Sequence, residues 1–536
     1  MQLTIRGLAD AAAWERAGVA LPPYDPADLA RRTVASPRWA HFGIGNIFRI
    51  FVGGIADTLI RKGLLDRGIT CVETFDYDVV DRIYAPHDNL TLAVTLHMNG
   101  DTDRKVLGSL SEAVKAQSSD PAAWARLKAI FTDPGLQLAS FTITEKGYAL
   151  RGTDGEYMGY VKADLENGPE KVTGAMGVVA AMLYARYQAG RAPIAMVSMD
   201  NVARNGEKLH DSVVETARVW AEKGLVEAGF TDYVADESVV SFPWTMIDKI
   251  TPRPSEDVAK ALEADGIEGM APIVTGRHTY IAPFVNAEGP QYLVVEDSFP
   301  NGRPPLEEAG VYMTDRQTVN RSERMKVTAC LNPIHTALGP YDVMLGHELF
   351  ADGMSDPQLA ALARQVGYRE GLPVVQDPGI LSPKAFIDEV INERFPNACL
   401  GDTSQRICTD ISMGVAFRFG ETVKAYVAKD GTAAGLTGIP VAIAGWLRYL
   451  LAVDDAGEAY PLAPDPLKEE LCAQLACVEV GRPESLTDQL KPILSNVNIF
   501  GVDLYAAGIG DKIETILREE LAGPGAVRAT LVKYLG

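Results

Sequence analysis

Hydrophobic positions fall into two regimes along the chain. Short apolar runs at Trp39–Phe42, Ile69–Val72, Leu90–Leu96, Leu138–Ile143 and Ile194–Ser198 predict strands. Between them, Ile47–Ile60, Val172–Ala189 and Leu209–Ala228 carry helical spacing, and the residues before Pro37 predict a helical lead-in. Such alternation favours a doubly wound parallel sheet. The segment Tyr280–Glu296 is β-rich, and a Pro/Gly-rich connector runs from Phe299 to Pro305. From about Asp315 onward the pattern is mostly helical, at Val319–Leu331, Gln358–Val366, Phe386–Glu393, Val441–Leu451, Leu467–Ala476 and Ile513–Glu519. The expected architecture is an α/β Rossmann-like N-terminal domain over residues 1–305 and a mostly α-helical C-terminal domain over 306–536.

Composition narrows the partners. The 536 residues carry 50 Lys+Arg against 71 Asp+Glu, a net charge of −21. That balance repels nucleic acid and anionic membranes, and no basic run offsets it. The longest apolar stretch, Ile439–Val453, is interrupted by Arg448 and too short to cross a bilayer, so it predicts a buried helix. Met1–Glu15 has no apolar core of the kind a signal peptide needs. The 6 cysteines form no CxxC pair, which predicts reduced thiols and a cytoplasmic protein.

The first predicted strand runs into Gly43-Ile44-Gly45-Asn46 and then a helix. Glycines here permit a tight turn and close approach of the backbone to a pyrophosphate. Phe48 occupies the place of the usual third glycine, so an ordinary strand–helix turn fits the pattern equally well. Glu73, at the end of the second strand, suits the adenosine ribose hydroxyls and disfavours a 2′-phosphate, pointing to NAD. Asp76 and Asp78 are close enough to take that role instead, and all three also read as solvated loop acids.

Several blocks stand out along the chain: Phe42–Arg49, Thr142–Tyr148 (containing Glu145 and Lys146), Ser198–Asn201 with Asn205-Gly206, and Phe242–Pro252 (containing Asp248). The C-terminal half adds Met325-Lys326 with Asn332 and His335, and Arg394–Asn397 with Asp402 and Arg406. Taken together, these blocks resemble the long-chain, metal-independent polyol dehydrogenase (mannitol dehydrogenase) family. The branch most similar is that of fructuronate reductase, or D-mannonate oxidoreductase. The resemblance implies NAD as cofactor, held by Gly43, Gly45, Asn46, Phe48, Glu73, Asp76, Glu145 and Lys146. It implies Lys326 as the proton-transfer group, with Asn201 and Asn332 holding the reacting oxygen, His335 touching substrate and Glu323 aiding proton exchange. Asp248 and Arg406 are the implied substrate contacts. No metal is expected, since the 7 histidines form no cluster.

A neutral lysine can take an alcohol proton if burial or a positive neighbour lowers its ordinary pKa. Taken alone, Lys326 reads as a solvated helix-face lysine, Asn332 before Pro333 as a turn residue, and Asp200-Asn201 as a helix cap. Two departures from the family stand out. Lys326 and Asn332 lie one residue further apart than the family's lysine and asparagine, which predicts a π-bulge or break before Pro333. Gly414 stands where the family carries a substrate-contacting lysine. The implied activity is NAD-dependent interconversion of D-fructuronate and D-mannonate, a small sugar-acid substrate. The alternatives are a mannitol or arabinitol 2-dehydrogenase, or a redox-inactive nucleotide sensor of the same fold.

Overall fold

The computed structural model describes residues 1–536. The chain divides into two compact units: residues 1–97 with 101–320, and 98–100 with 321–536.

The first unit is built on six parallel strands: β1 (Trp39–Phe42), β2 (Ile69–Glu73), β3 (Leu110–Lys115), β4 (Leu138–Phe141), β5 (Ile194–Ser198) and β6 (Val240–Ser241). Their order in the sheet is β3-β2-β1-β4-β5-β6, and every pairing is parallel. This is the doubly wound order, with the direction of winding reversing between β1 and β4. Every residue of β1 is buried, as expected of a central parallel strand covered on both faces. Its side chains alternate. Ala40 and Phe42 join a core with Trp124, Phe141 and Trp220, whereas Trp39 packs into the opposite core with Ile55 and Val197.

The run expected at Leu90–Leu96 does form a strand, Thr91–Leu96, but in a second sheet. It returns almost at once as Thr102–Leu107, paired antiparallel, and its other edge takes Phe284–Glu288. So short a connection permits a hairpin and leaves no room for a parallel crossover. The first unit also extends beyond the Phe299–Pro305 connector. Tyr312–Thr314 pairs parallel with Tyr292–Glu296, and the passage to the second unit falls after Asn320.

The second unit is helical. Helices α1 (Arg316–Met325), which begins in the first unit, α2 (Asn332–Met344), α3 (Gly438–Tyr449) and α4 (Gly510–Glu520) carry the features used below. The apolar stretch expected as a buried helix is α3, and all its residues are buried. Gly445 lets it cross α2 closely, since a Cβ there would lie 2.3 Å from the Tyr341 ring. No helix is long and apolar enough to cross a membrane.

Candidate active site

In an open parallel sheet, ligands bind beyond the carboxyl ends of the strands, where the winding reverses. Gly43 follows β1 at that point. Its φ is +86°, and a Cβ would sit 2.2 Å from the Thr142 carbonyl oxygen, so only glycine fits. The turn is pinned from both neighbouring strands. The Gly43 amide donates to Val72 O at 3.1 Å, and the Thr142 hydroxyl donates to Gly43 O at 2.7 Å. Gly45 serves differently: it is exposed, and nothing lies within 4 Å of a Cβ there, leaving open space for a ligand. The side-chain oxygen of Asn46 is buried without a hydrogen-bond partner, an acceptor suited to a ligand's donor. These features fit a dinucleotide pyrophosphate and its adjoining groups.

Phe48 supports the turn from beneath. It is fully buried and stacks on His41 at 3.9 Å between centroids. Its ring packs the core under the turn and offers no surface to a cofactor. His41 is itself held between the hydroxyls of Ser140 and Thr142, at 2.6 and 2.9 Å, and burial keeps it neutral. Arg49 is a buried cation one turn after Gly45. Its guanidinium donates to Thr91 Oγ1 and to the carbonyls of Ala282 and Pro283, both at 2.7 Å, tying the turn's helix to the second sheet.

Glu73 ends β2 with its side chain turned inward. Its Oε1 accepts the amides of Thr74, Phe75 and Asp76 at 3.0, 2.9 and 3.2 Å, and burial raises its pKa. Asp76 and Asp78 fix a neighbouring loop by accepting the Thr275 hydroxyl (2.6 Å) and the Gly276 amide (3.0 Å).

Beyond β4, Thr144 adopts φ +65°, a costly conformation for a β-branched residue. Asp200, after β5, holds it there. The carboxylate accepts the amides of Ile143 and Thr144, both at 2.9 Å, and the Tyr148 hydroxyl at 2.6 Å. Burial raises the Asp200 pKa against those donors. Glu145 and Lys146 are exposed, and Glu145 pairs with Lys208. Asn201 follows Asp200 and is exposed. Asn205 clasps the next strand. Its amide donates to Asp200 O and to the carbonyl and hydroxyl oxygens of Thr245, and its own oxygen accepts the Thr245 amide. That strand, Thr245–Asp248, ends in the buried Asp248. Asp200, Thr144 and Asn205 thus form a scaffold whose residues appear in the sequence only as members of blocks.

In the second unit, α1 passes directly into a π-helix, Lys326–Cys330. The Lys326 carbonyl accepts the Leu331 amide, five residues on, at 3.1 Å. Leu331 then breaks the helical path at φ −130°, ψ −68°, and α2 starts at Asn332. The bulge expected before Pro333 is therefore present. Lys326 is 1% exposed, and Glu323 stands half-buried a turn earlier. His335 lies one turn into α2, stacked on Phe395 at 4.2 Å with Phe350 against it edge-on.

Arg406 is 62% exposed, and its guanidinium is engaged by Asp402, four residues before it. A second arginine in this cluster is buried instead. Arg394 precedes the Phe395 ring that covers His335, and it is 2% exposed. Burial and its place beside Phe395 separate it from Arg406; no pattern in the residues alone does so.

The Rossmann-domain model of the mannitol dehydrogenases matches residues 37–308, and their C-terminal-domain model matches residues 318–519. The chain belongs to the mannitol dehydrogenase family. Among its relatives, D-mannonate oxidoreductase from Thermotoga maritima is 50% identical, covering 100% of this chain and 99% of that protein. Mannitol 2-dehydrogenase from Neosartorya fischeri is 28% identical over 100% of this chain and 99% of its own. The fold also matches Pseudomonas fluorescens mannitol 2-dehydrogenase, solved as a ternary complex with NAD and D-mannitol. The TM-score is 0.73 at 26% identity, covering 99% of each chain.

Proposed function

We propose that this member of the family is an NAD-dependent, metal-independent oxidoreductase that interconverts D-fructuronate and D-mannonate in the cytoplasm. The reading rests on full-length similarity to a D-mannonate oxidoreductase and on one observation in the second unit. That observation is a buried amine, Lys326, at the head of a π-helix that leads into Asn332 and His335.

The dinucleotide, when bound, supplies the hydride. Lys326 gives its proton to the ketone oxygen in reduction and takes it back in oxidation. Asn332 donates an amide hydrogen to that oxygen, stabilising the charge that develops there without adding charge of its own, and the family resemblance gives Asn201 the same role. Glu323 passes protons between Lys326 and water. Asp248 accepts a sugar hydroxyl. Arg394, through its planar fork, is the better placed cation for the substrate carboxylate.

Loss of NADH absorbance with fructuronate, tagaturonate and fructose offered separately tests the reading. Turnover with fructuronate is expected, and turnover with fructose alone points instead to a polyol dehydrogenase. Replacing Lys326 with Ala is expected to lower kcat by about a thousandfold or more while NADH still binds. Unchanged kcat removes Lys326 from the mechanism. Arg394→Ala is expected to raise KM for fructuronate at least about tenfold, the loss of one charge-assisted pair, while Arg406→Ala leaves it unchanged.

A further inference from the structure

We infer that Arg277 is a specificity residue at the ribose 2′ position of the dinucleotide site, and that with Phe75 it lets this protein take NADPH as well as NADH. The inference rests on the dinucleotide reading above and concerns a loop outside the six-stranded sheet.

Phe75 lies two residues beyond the end of β2, where the adenosine of a bound dinucleotide meets a sheet of this order. Its ring is 63% exposed, although the chain buries most of its large apolar side chains. The guanidinium of Arg277 stands over that ring, 5.2 Å from its centroid. Arg277 sits on the exposed turn joining Ile273–Val274 to Tyr280–Ile281.

The turn is built to hold this position. The Thr275 hydroxyl donates to Asp76, the Gly276 amide to Asp78, and the Thr279 amide back to Thr275 Oγ1 at 3.0 Å. His278 closes it at φ +64°. The two carboxylates nearest the loop are thereby turned to its own hydroxyl and amide rather than to the guanidinium. Glu73, the acid that would ordinarily exclude a 2′-phosphate, is 7% exposed, and one of its oxygens is capped by three backbone amides. A withdrawn carboxylate beside a presented arginine is the arrangement that accepts a 2′-phosphate. The fork supplies paired donors to phosphate oxygens, and the aromatic face supplies a surface for the adenine.

Fluorescence titration of NADH and NADPH into the substrate-free protein tests this, with no turnover required. The wild type is expected to bind NADPH no more than about thirtyfold more weakly than NADH. Arg277→Ala is expected to weaken NADPH about tenfold or more and NADH less than about threefold. Phe75→Ala is expected to weaken both by about fivefold or more. Both side chains are exposed, so thermal unfolding is expected to stay unchanged and to report intact folding. A larger wild-type gap between the two dinucleotides overturns the inference, as does an Arg277→Ala variant that shifts both equally or neither. A folded wild type that binds neither dinucleotide overturns the cofactor reading itself.

Discussion

The two glycines of the turn after β1 make opposite demands on a substitution. At Gly43 the backbone is left-handed and the Thr142 carbonyl lies 2.2 Å from where a Cβ would be. Gly43→Ala is expected to cost about 2 kcal/mol or more of stability and to show as a lowered Tm. At Gly45 the space is open, so Gly45→Ala is expected to keep the wild-type Tm and to weaken NADH binding about tenfold. A Gly45→Ala protein that binds NADH normally counts against a pyrophosphate at this turn. The need for glycine at this turn was legible in the residues. The direction of a side chain was not. Glu73 as a strand-end acid, Phe48 as a turn residue and Arg406 as a cation beside a family block all read plausibly. Whether each faces ligand, core or water depends on how the fold turns and packs its own segment, as Phe48 is turned down onto His41.

At the scale of elements, the strands and the α/β-then-helical order were readable because apolar period and length differ between the two kinds of element. The destination of Thr91–Leu96 was not, because a hairpin strand and a crossover strand share one pattern. The π-helix was signalled by spacing and by Pro333, though its support comes from elsewhere. A π ladder would give the Thr328 carbonyl the amide of residue 333, which proline lacks. The buried Thr422 hydroxyl, on the helix Glu421–Asp430, donates to that carbonyl at 3.2 Å instead. Thr422→Val leaves it unsatisfied at a cost of about 1–3 kcal/mol. The expected outcome is a lower kcat with NADH binding unchanged, restored by Thr422→Ser. Equal kcat in the Val and Ser variants would show that the bulge holds without this bond.

Across the whole molecule, pH dependence is written into the helical core. The Tyr341 hydroxyl lies 2.6 Å from Glu520 Oε1 and 2.8 Å from the Val441 carbonyl. One hydrogen cannot serve both acceptors, so the trio is complete when Glu520 carries a proton. Burial agrees, pushing the Glu520 pKa up from 4.5 to about 8. The folded form therefore binds this proton more tightly than the unfolded chain does. Its contribution is whole below about pH 4.5 and drains away as pH climbs toward about 8, by an amount on the order of 5 kcal/mol. Glu520→Gln keeps a donor at every pH. Its Tm relative to wild type is expected to rise between pH 5 and pH 8, and a constant difference would mean Glu520 is charged in the fold. None of this was visible in the residues, since Tyr341, Val441 and Glu520 come from three separate helices.

Arg49 carries a consequence for how the protein is made. Its two strongest anchors, the carbonyls of Ala282 and Pro283, are synthesised 233 and 234 residues after it. A nascent chain that has emerged only as far as β6 already contains every strand of the parallel sheet, yet its buried guanidinium still lacks both acceptors. The anchoring of the helix after the glycine turn is thus completed late on the ribosome, well after the sheet it adjoins has been made.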